Sequence, residues 1–286
     1  LYKEKRLLER LVRRYLFKKS WFRAFVSALE KTGLMITDHF VFGNPEIHCV
    51  FVDVFLTSGL VRHIPLYLSI LEGDAAQAKI DSAPENIVAK ISDKKKLTVI
   101  YDMENEPSLL TAVGEIIDTR KKIKTERGEL QAIRVTQGRE KGGIRLFNLL
   151  EEEMEPDIEI RLFLSRQKAF KAFLPLLGYL EYKAHNQVKH ALAEELEIRP
   201  PESNAKQMFI ESAYRFLQEL ETLKEMPQDD LLFPKKTLMD LAFGNLDTKI
   251  RELLEEQPEV ALSLGEVAAD FHLAMYAEKI DPAFAP

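Results

Sequence analysis

The sequence is poor in residues that carry ready-made chemistry. It holds one cysteine, Cys49, in 286 residues. An intramolecular disulfide is therefore impossible, and a structural zinc site built on two or more thiolates is not expected. Cys49 lies in the apolar run IHCVFVDVFL and reads as a small buried hydrophobe rather than a reactive thiol. No apolar stretch reaches the roughly 18–20 residues of a membrane span. The richest, residues 169–182, is interrupted by Lys171, Pro175 and Glu181. GxSxG, HExxH, GxGxxG and GxxxxGK(S/T) are all missing, so serine-hydrolase, zincin, dinucleotide and P-loop chemistry have no signature here. SxxK occurs at Ser92, Ser165 and Ser203, but no SDN accompanies it and the only KTG, residues 31–33, precedes all three. No fixed-period repeat or low-complexity tract is found. The chain opens at Leu1 with neither Met nor a signal-like segment. It reads as a cytoplasmic protein, and as a piece of a longer one.

What is present is ordinary for a globular protein: 46% hydrophobic and 30% charged residues, which excludes wholesale disorder. The formal charge of −6 is unevenly spread. Residues 1–150 hold 25 Lys and Arg against 19 Asp and Glu, while residues 151–286 hold 15 against 27. The first 24 residues alone carry +7, so the pattern is a basic handle on an acidic protein.

Residues 1–34 are expected to form a basic amphipathic helical segment. Leu8, Leu11, Val12 and Tyr15 fall on one helical stripe, and Ser20 can cap a second helix carrying Phe22, Phe25, Val26 and Leu29. Residues 35–165 read as an α/β domain with a mostly parallel sheet and flanking helices. The run at residues 47–56 suits a strand covered on both faces, and LTVIY at 97–101 is a second short buried strand. Residues 131–135 are a weaker strand, and residues 158–164 alternate as at a sheet edge. Helices are expected near 60–72, at 84–92, from Pro107 and at 144–150. Residues 166–286 read as all-α, with one long helix from 166 to about 197 kinked at Pro175 and Gly178. Further helices are expected at 202–226, 236–256 and 264–279, with Pro258 in the last break and Ser263 and Glu266 as a capping box.

Five features could carry function. Asp53, late in the first strand, and Asp102 with Glu104, just after the second, could gather at the carboxyl ends of a parallel sheet. Together they could hold Mg²⁺ for phosphoryl transfer or nuclease chemistry. Alternatively, Asp102 to Glu106 is a polar loop leading into a helix, and Asp53 needs a partner if it is buried. Gly138, Gly142 and Gly143, with Arg139, Lys141 and Arg145 nearby, could form an anion cradle before a helix, or an ordinary loop. Of the six histidines, His185 and His190 would diverge by about 140° on one helix. The acidic run at residues 151–157 reads as a polar linker.

The N-terminal helix is the fifth feature. Arg6, Arg10 and Arg13 share one face, flanked by Arg14 and followed by Trp21. That face could dock on an acidic protein, bind nucleic-acid phosphates or lie on an anionic membrane, or it could be a solvated face packed on this protein's own acidic half. The leading expectation is a non-enzymatic interaction, scaffold or regulatory subunit of a larger assembly, with no cofactor. It would dock through the basic aromatic helix and the acidic helical domain. The alternatives are the metal-dependent enzyme and a nucleic-acid-binding module.

Overall fold

The computed structural model describes residues 4–25, 33–93, 96–136, 142–151, 154–166, 170–198, 205–222 and 257–276. The chain divides into two units. The first is Leu1–Arg166 with Leu174–Ile198, and the second is Gln167–Phe173 with Arg199–Pro286.

The first unit opens with α1 (Lys5–Leu16) and α2 (Ser20–Phe25). Then come β1 (Gly33–Phe42), β2 (Ile47–Phe55), β3 (Val61–Glu72), α3 (Asp74–Ser82), a 3₁₀ turn at Pro84–Asn86, β4 (Ile87–Asp93) and β5 (Lys96–Asp102). The second half repeats that order: α4 (Pro107–Asp118), β6 (Lys122–Lys124), β7 (Gly128–Arg134), β8 (Gly143–Leu146), α5 (Pro156–Arg166), β9 (Leu176–Ala184) and β10 (Lys189–Leu196). Apart from the extra helix α2 and the 3₁₀ turn in the first half, each half runs helix, three strands, helix, two strands.

The strands form two five-stranded sheets, ordered β1-β2-β3-β5-β4 and β6-β7-β9-β10-β8. Every pairing is antiparallel. This overturns the expected mostly parallel sheet. A continuous apolar strand reports burial on two faces, not the direction of its neighbours. Here the first sheet is covered twice. One face, with Ile36, Val50, Val52, Val54, Ile64, Leu66, Leu68 and Ile100, packs under Leu8, Val12, Tyr15 and Leu16 of α1 and Phe22 of α2. The other face, with Phe40, Cys49, Phe51, Tyr67, Val99 and Tyr101, shares a core with α4 and with Leu130, Leu180, Tyr182 and Leu192 of the second sheet. Phe51 and Tyr182 stack across that interface with ring centroids 4.1 Å apart.

Several local readings are corrected. Residues 60–72 form β3 rather than a helix; Pro65 sits within it, and its ring is incompatible with a helix interior. Residues 84–92 form the 3₁₀ turn and β4, and residues 144–150 begin in β8. The alternating segment 158–164 lies in α5, which Pro156, Asp157 and Glu159 open in the manner a helix start prefers. The long helix expected from 166 to 197 is instead the β9–β10 hairpin, turned at residues 185–187 where Gln187 has φ 72°. The strands expected at 47–56 and 97–101 form as β2 and β5, and the helix from Pro107 and the apolar stripe of α1 also form.

In the second unit, α6 (Ala205–Thr222) and α7 (Gln257–Tyr276) are helical. Pro258 is in the first turn of α7 rather than in a break, and Ser263 lies inside that helix, so the capping box does not form. The helix expected at 236–256 lies outside the described residues. No helix among the described residues is long and apolar enough to cross a membrane.

Gly178 lets α4 approach β9. A Cβ there would sit 2.6 Å from Ile117 Cγ2 and 2.9 Å from the Ile133 carbonyl oxygen. Gly178→Ala is therefore expected to cost about 1–3 kcal/mol by overpacking. The check is a fall in the urea midpoint with an unchanged slope.

Candidate functional site

The three candidate carboxylates are separated by the sheet itself. On β3, successive side chains point to opposite faces. Asp53 pairs with His63 and Asp102 with Leu68; His63 shares its face with Tyr67, Leu68 the opposite one. Asp53 thus faces the inter-sheet side, while Asp102 lies under α1. The two do not converge, and they form no shared cation site. Among the described residues, no group of three or more His, Cys, Asp or Glu is placed to hold a metal ion.

Asp102 has a different task. It is 3% exposed and accepts a 2.7 Å hydrogen bond from the Tyr15 hydroxyl of α1. Its other oxygen accepts from the Glu104 backbone N–H at 3.0 Å. Lys19 Nζ lies 3.9 Å from Asp102, 3.7 Å from Glu104 and 3.1 Å from Asn86 Oδ1, to which it donates. Asn148 donates to Glu104 at 2.7 Å. The cluster fastens α1 to the end of β5. Burial pushes the Asp102 carboxyl above its ordinary range, against the opposing pull of Tyr15 and Lys19. Burial, followed by the Asp102 charge, pushes the Tyr15 phenol up strongly.

Asp53 is the acid that a buried apolar run requires to be paired, and the partner is the residue opposite it on β3. Asp53 Oδ1 lies 2.8 Å from His63 Nδ1 and accepts from Thr37 Oγ1 at 3.4 Å. A carboxylate only accepts, so Nδ1 carries the proton and the lone pair of the neutral ring is on Nε2. The His190 ring is centred 5.0 Å from that of His63. Its Nδ1 donates to the Glu151 carbonyl at 2.6 Å, which fixes the same tautomer. Beside them, Asp38, 1% exposed, accepts from the Tyr182 hydroxyl at 2.7 Å, the Arg127 N–H at 3.2 Å, the His39 N–H at 2.8 Å and the Thr125 hydroxyl. These residues line a cavity of about 400 Å³ between the two sheets, with Phe51 and Leu150 among its apolar walls and His185 and Asn186 also lining it. A histidine oriented by a carboxylate can accept or hold a proton at Nε2.

Sequence reasoning found Asp53 but missed its setting. Asp38, His63, Arg127, Tyr182 and His190 come from different strands and turns. The only one-dimensional hint was the expense of an unpaired acid in an apolar run. His185 and His190 are not one helix face; they lie at the turn and in the second strand of the β9–β10 hairpin.

The glycine loop is no anion cradle before a helix, because Gly143 starts a strand. The Gly142 N–H donates to Glu195 Oε1 at 2.8 Å, so this chain's own carboxylate takes it. Glu195 is also paired with the buried Arg134. A Cβ on Gly142 would lie 2.1 Å from the Leu196 carbonyl oxygen, which explains the glycine by close approach. Gly138, with Arg139 and Lys141, lies outside the described residues. Arg145 pairs with Glu194 and Asp157 instead of facing an anion.

Arg6, Arg10, Arg13 and Arg14 are all exposed on α1, and Trp21 is half-buried. None of the four arginines has an ion-pair partner among the described residues; Arg13 lies over the Phe17 ring, 5.9 Å from its centroid.

Comparison with protein-family models and with curated proteins gives no match, so function is argued from this chain's own residues.

The Tyr15–Asp102 bracket makes two predictions. Tyr15→Phe removes a donor from a buried carboxylate and is expected to cost about 1–3 kcal/mol. A carboxyl whose folded-state pKa is raised contributes stability that is present below its unfolded pKa and is lost as pH rises through the folded one. The wild type should therefore gain stability relative to Asp102→Asn as pH falls from neutral into the carboxylate range. Urea unfolding at several pH values reads this directly, and a gap that does not vary with pH would show an ordinary, solvated carboxylate.

Proposed function

We propose that the protein is a non-enzymatic interaction or regulatory subunit, acting in the cytoplasm, that docks an acidic protein surface on the outer face of α1. The observation that carries this reading is the seating of α1. Its apolar stripe is spent on its own sheet, and four arginines with no described ion-pair partner face outward.

The same seating weighs against the other polyanions. An amphipathic helix that lies in a membrane needs its apolar face for the lipid, and here Leu8, Val12, Tyr15 and Leu16 are already buried. Nucleic-acid binders of this size usually carry a net basic domain, whereas this chain carries −6. Arginine interleaved with exposed Leu7 and Phe17 matches the composition of protein interfaces, where arginine and aromatics are enriched. The second unit adds exposed apolar side chains. On α6, Ile210, Tyr214 and Leu217 recur at helical spacing, and α7 exposes Leu262, Leu273 and Tyr276. Such faces are the anchors that helix-in-groove partners use.

The test is co-purification from the native host with wild type and with Arg6→Ala/Arg10→Ala/Arg13→Ala. The expected result is a stoichiometric protein partner that survives nuclease treatment, weakens with salt and is lost by about tenfold or more in the triple variant, while the Tm stays within a few degrees because these residues are exposed. Loss of the partner on nuclease treatment, or an unchanged partner in the triple variant, would refute the reading.

A further inference from the structure

The inter-sheet cavity plays no part in docking through α1, which lies on the opposite face of the first sheet. Its size, about 400 Å³, is within the range of small-molecule sites, and it has the usual make-up of such sites: apolar walls with a few convergent polar groups. The charges around it are unequally available. Asp38 already accepts from four donors, and Asp53 is turned to His63 and Thr37. Arg127, by contrast, is exposed at the cavity and has no ion-pair partner among the described residues. Its own backbone N–H is tied to Asp38 at 3.2 Å, so the residue bearing the cation is anchored at this spot by a buried carboxylate. Asn186 adds an exposed amide whose carbonyl oxygen accepts from the Val188 N–H at 3.2 Å, leaving its NH₂ as a donor.

The interior of the cavity is made of flat groups. Tyr182 and His190 lie nearly parallel, with an interplanar angle of 16° and centroids 6.3 Å apart. His63 is tilted against His190, and Phe51 stacks on Tyr182. A guanidinium is the group best suited to a planar carboxylate or a phosphate, which it can hold in two parallel hydrogen bonds. Ring systems and an apolar wall suit a flat body.

The geometry points to a binding site for a small organic anion, a carboxylate or phosphate monoester on a flat apolar body, with its head at Arg127 and its body against Phe51, Leu150 and the rings of His63 and His190. This is a ligand site independent of the docking face.

Isothermal titration calorimetry of the full chain with benzoate and with phenyl phosphate tests it. Benzamide serves as the neutral control and inorganic phosphate as the bodiless one. At least one of the two organic anions should bind, and the stronger of the two identifies the head group. Benzamide and inorganic phosphate should each bind at least about tenfold more weakly than the anion they mimic, and Arg127→Gln should weaken the organic anion by a similar factor, as loss of a charge-assisted pair implies. Ala184→Phe, which fills the cavity without altering its charge, should abolish binding. Arg127→Gln changes an exposed residue and keeps the test open if Ala184→Phe fails to fold. Arg6→Ala/Arg10→Ala/Arg13→Ala should bind the anion normally, which separates this site from the docking face. The proposal is overturned if neither organic anion binds, if benzamide or inorganic phosphate binds as well as its anion, or if Arg127→Gln changes nothing.

Discussion

A carboxylate buried between two sheets sets the terms for the first unit. Asp38 comes from β1, yet three of its four hydrogen-bond donors, Tyr182, Thr125 and Arg127, belong to the second sheet and its first turn. An ionised carboxylate taken from water is expensive unless its lone pairs are filled. Asp38 therefore ties the first sheet to the second at three points. A bulge in β1, between Ile36 and Asp38, lets Ile36 serve the α1 face while Asp38 serves the inter-sheet face, which strict alternation from 36 to 38 would forbid. The cavity lies beside this tie, with Asp38, Arg127 and Tyr182 among its lining residues.

The sequence was most legible where one residue period reported one environment. The α1 stripe, the doubly covered β2 run and the Pro107 helix start were all readable because burial and local propensity agree there. They disagree in β9 and β10. LLGYLEYKA and KHALAEEL are rich in Leu, Ala and Glu, good helix formers, and their apolar residues also recur at three and four. Tertiary pairing overrides that propensity. Glu194 and Glu195, which look like solvated helix residues, are buried against Arg145, Arg161 and Arg134. The reverse error occurred in α5, where IEIRLFL alternates like an edge strand although Pro156 and the acids after it mark a helix start.

The site was legible only as a contradiction. Asp53 stood out as an acid where an acid is costly, and the resolution, His63, lies directly across the hairpin. Cross-strand partners are set by register, and no register can be assigned to residues 60–72 when their pattern reads as a helix. Tyr182 and His190 come from β9 and β10, in the stretch that reads as a helical domain, and Arg127 from the turn before β7. The Asp102 group was misread for a related reason: a strand-end carboxylate is a ligand signal in a parallel sheet, but in an antiparallel one the strand ends alternate and no common carboxyl edge exists.

By its charge the N-terminal segment is a basic handle, but by its packing it is part of the body of the first unit. Leu8, Val12, Tyr15, Leu16 and Phe22 are buried against the first sheet, and each such side chain is worth about 1.5–3 kcal/mol in removal from water. Peeling α1 away would forfeit on the order of 10 kcal/mol, comparable to the entire stability of a typical domain. It would also leave Asp102 without Tyr15 and Lys19. A partner must therefore come to the arginines where they stand, on a helix held rigid from beneath. A rigid face loses little conformational entropy on binding, so the fixed spacing of Arg6, Arg10 and Arg13 along α1 defines the pattern of negative charge that a complementary surface has to present.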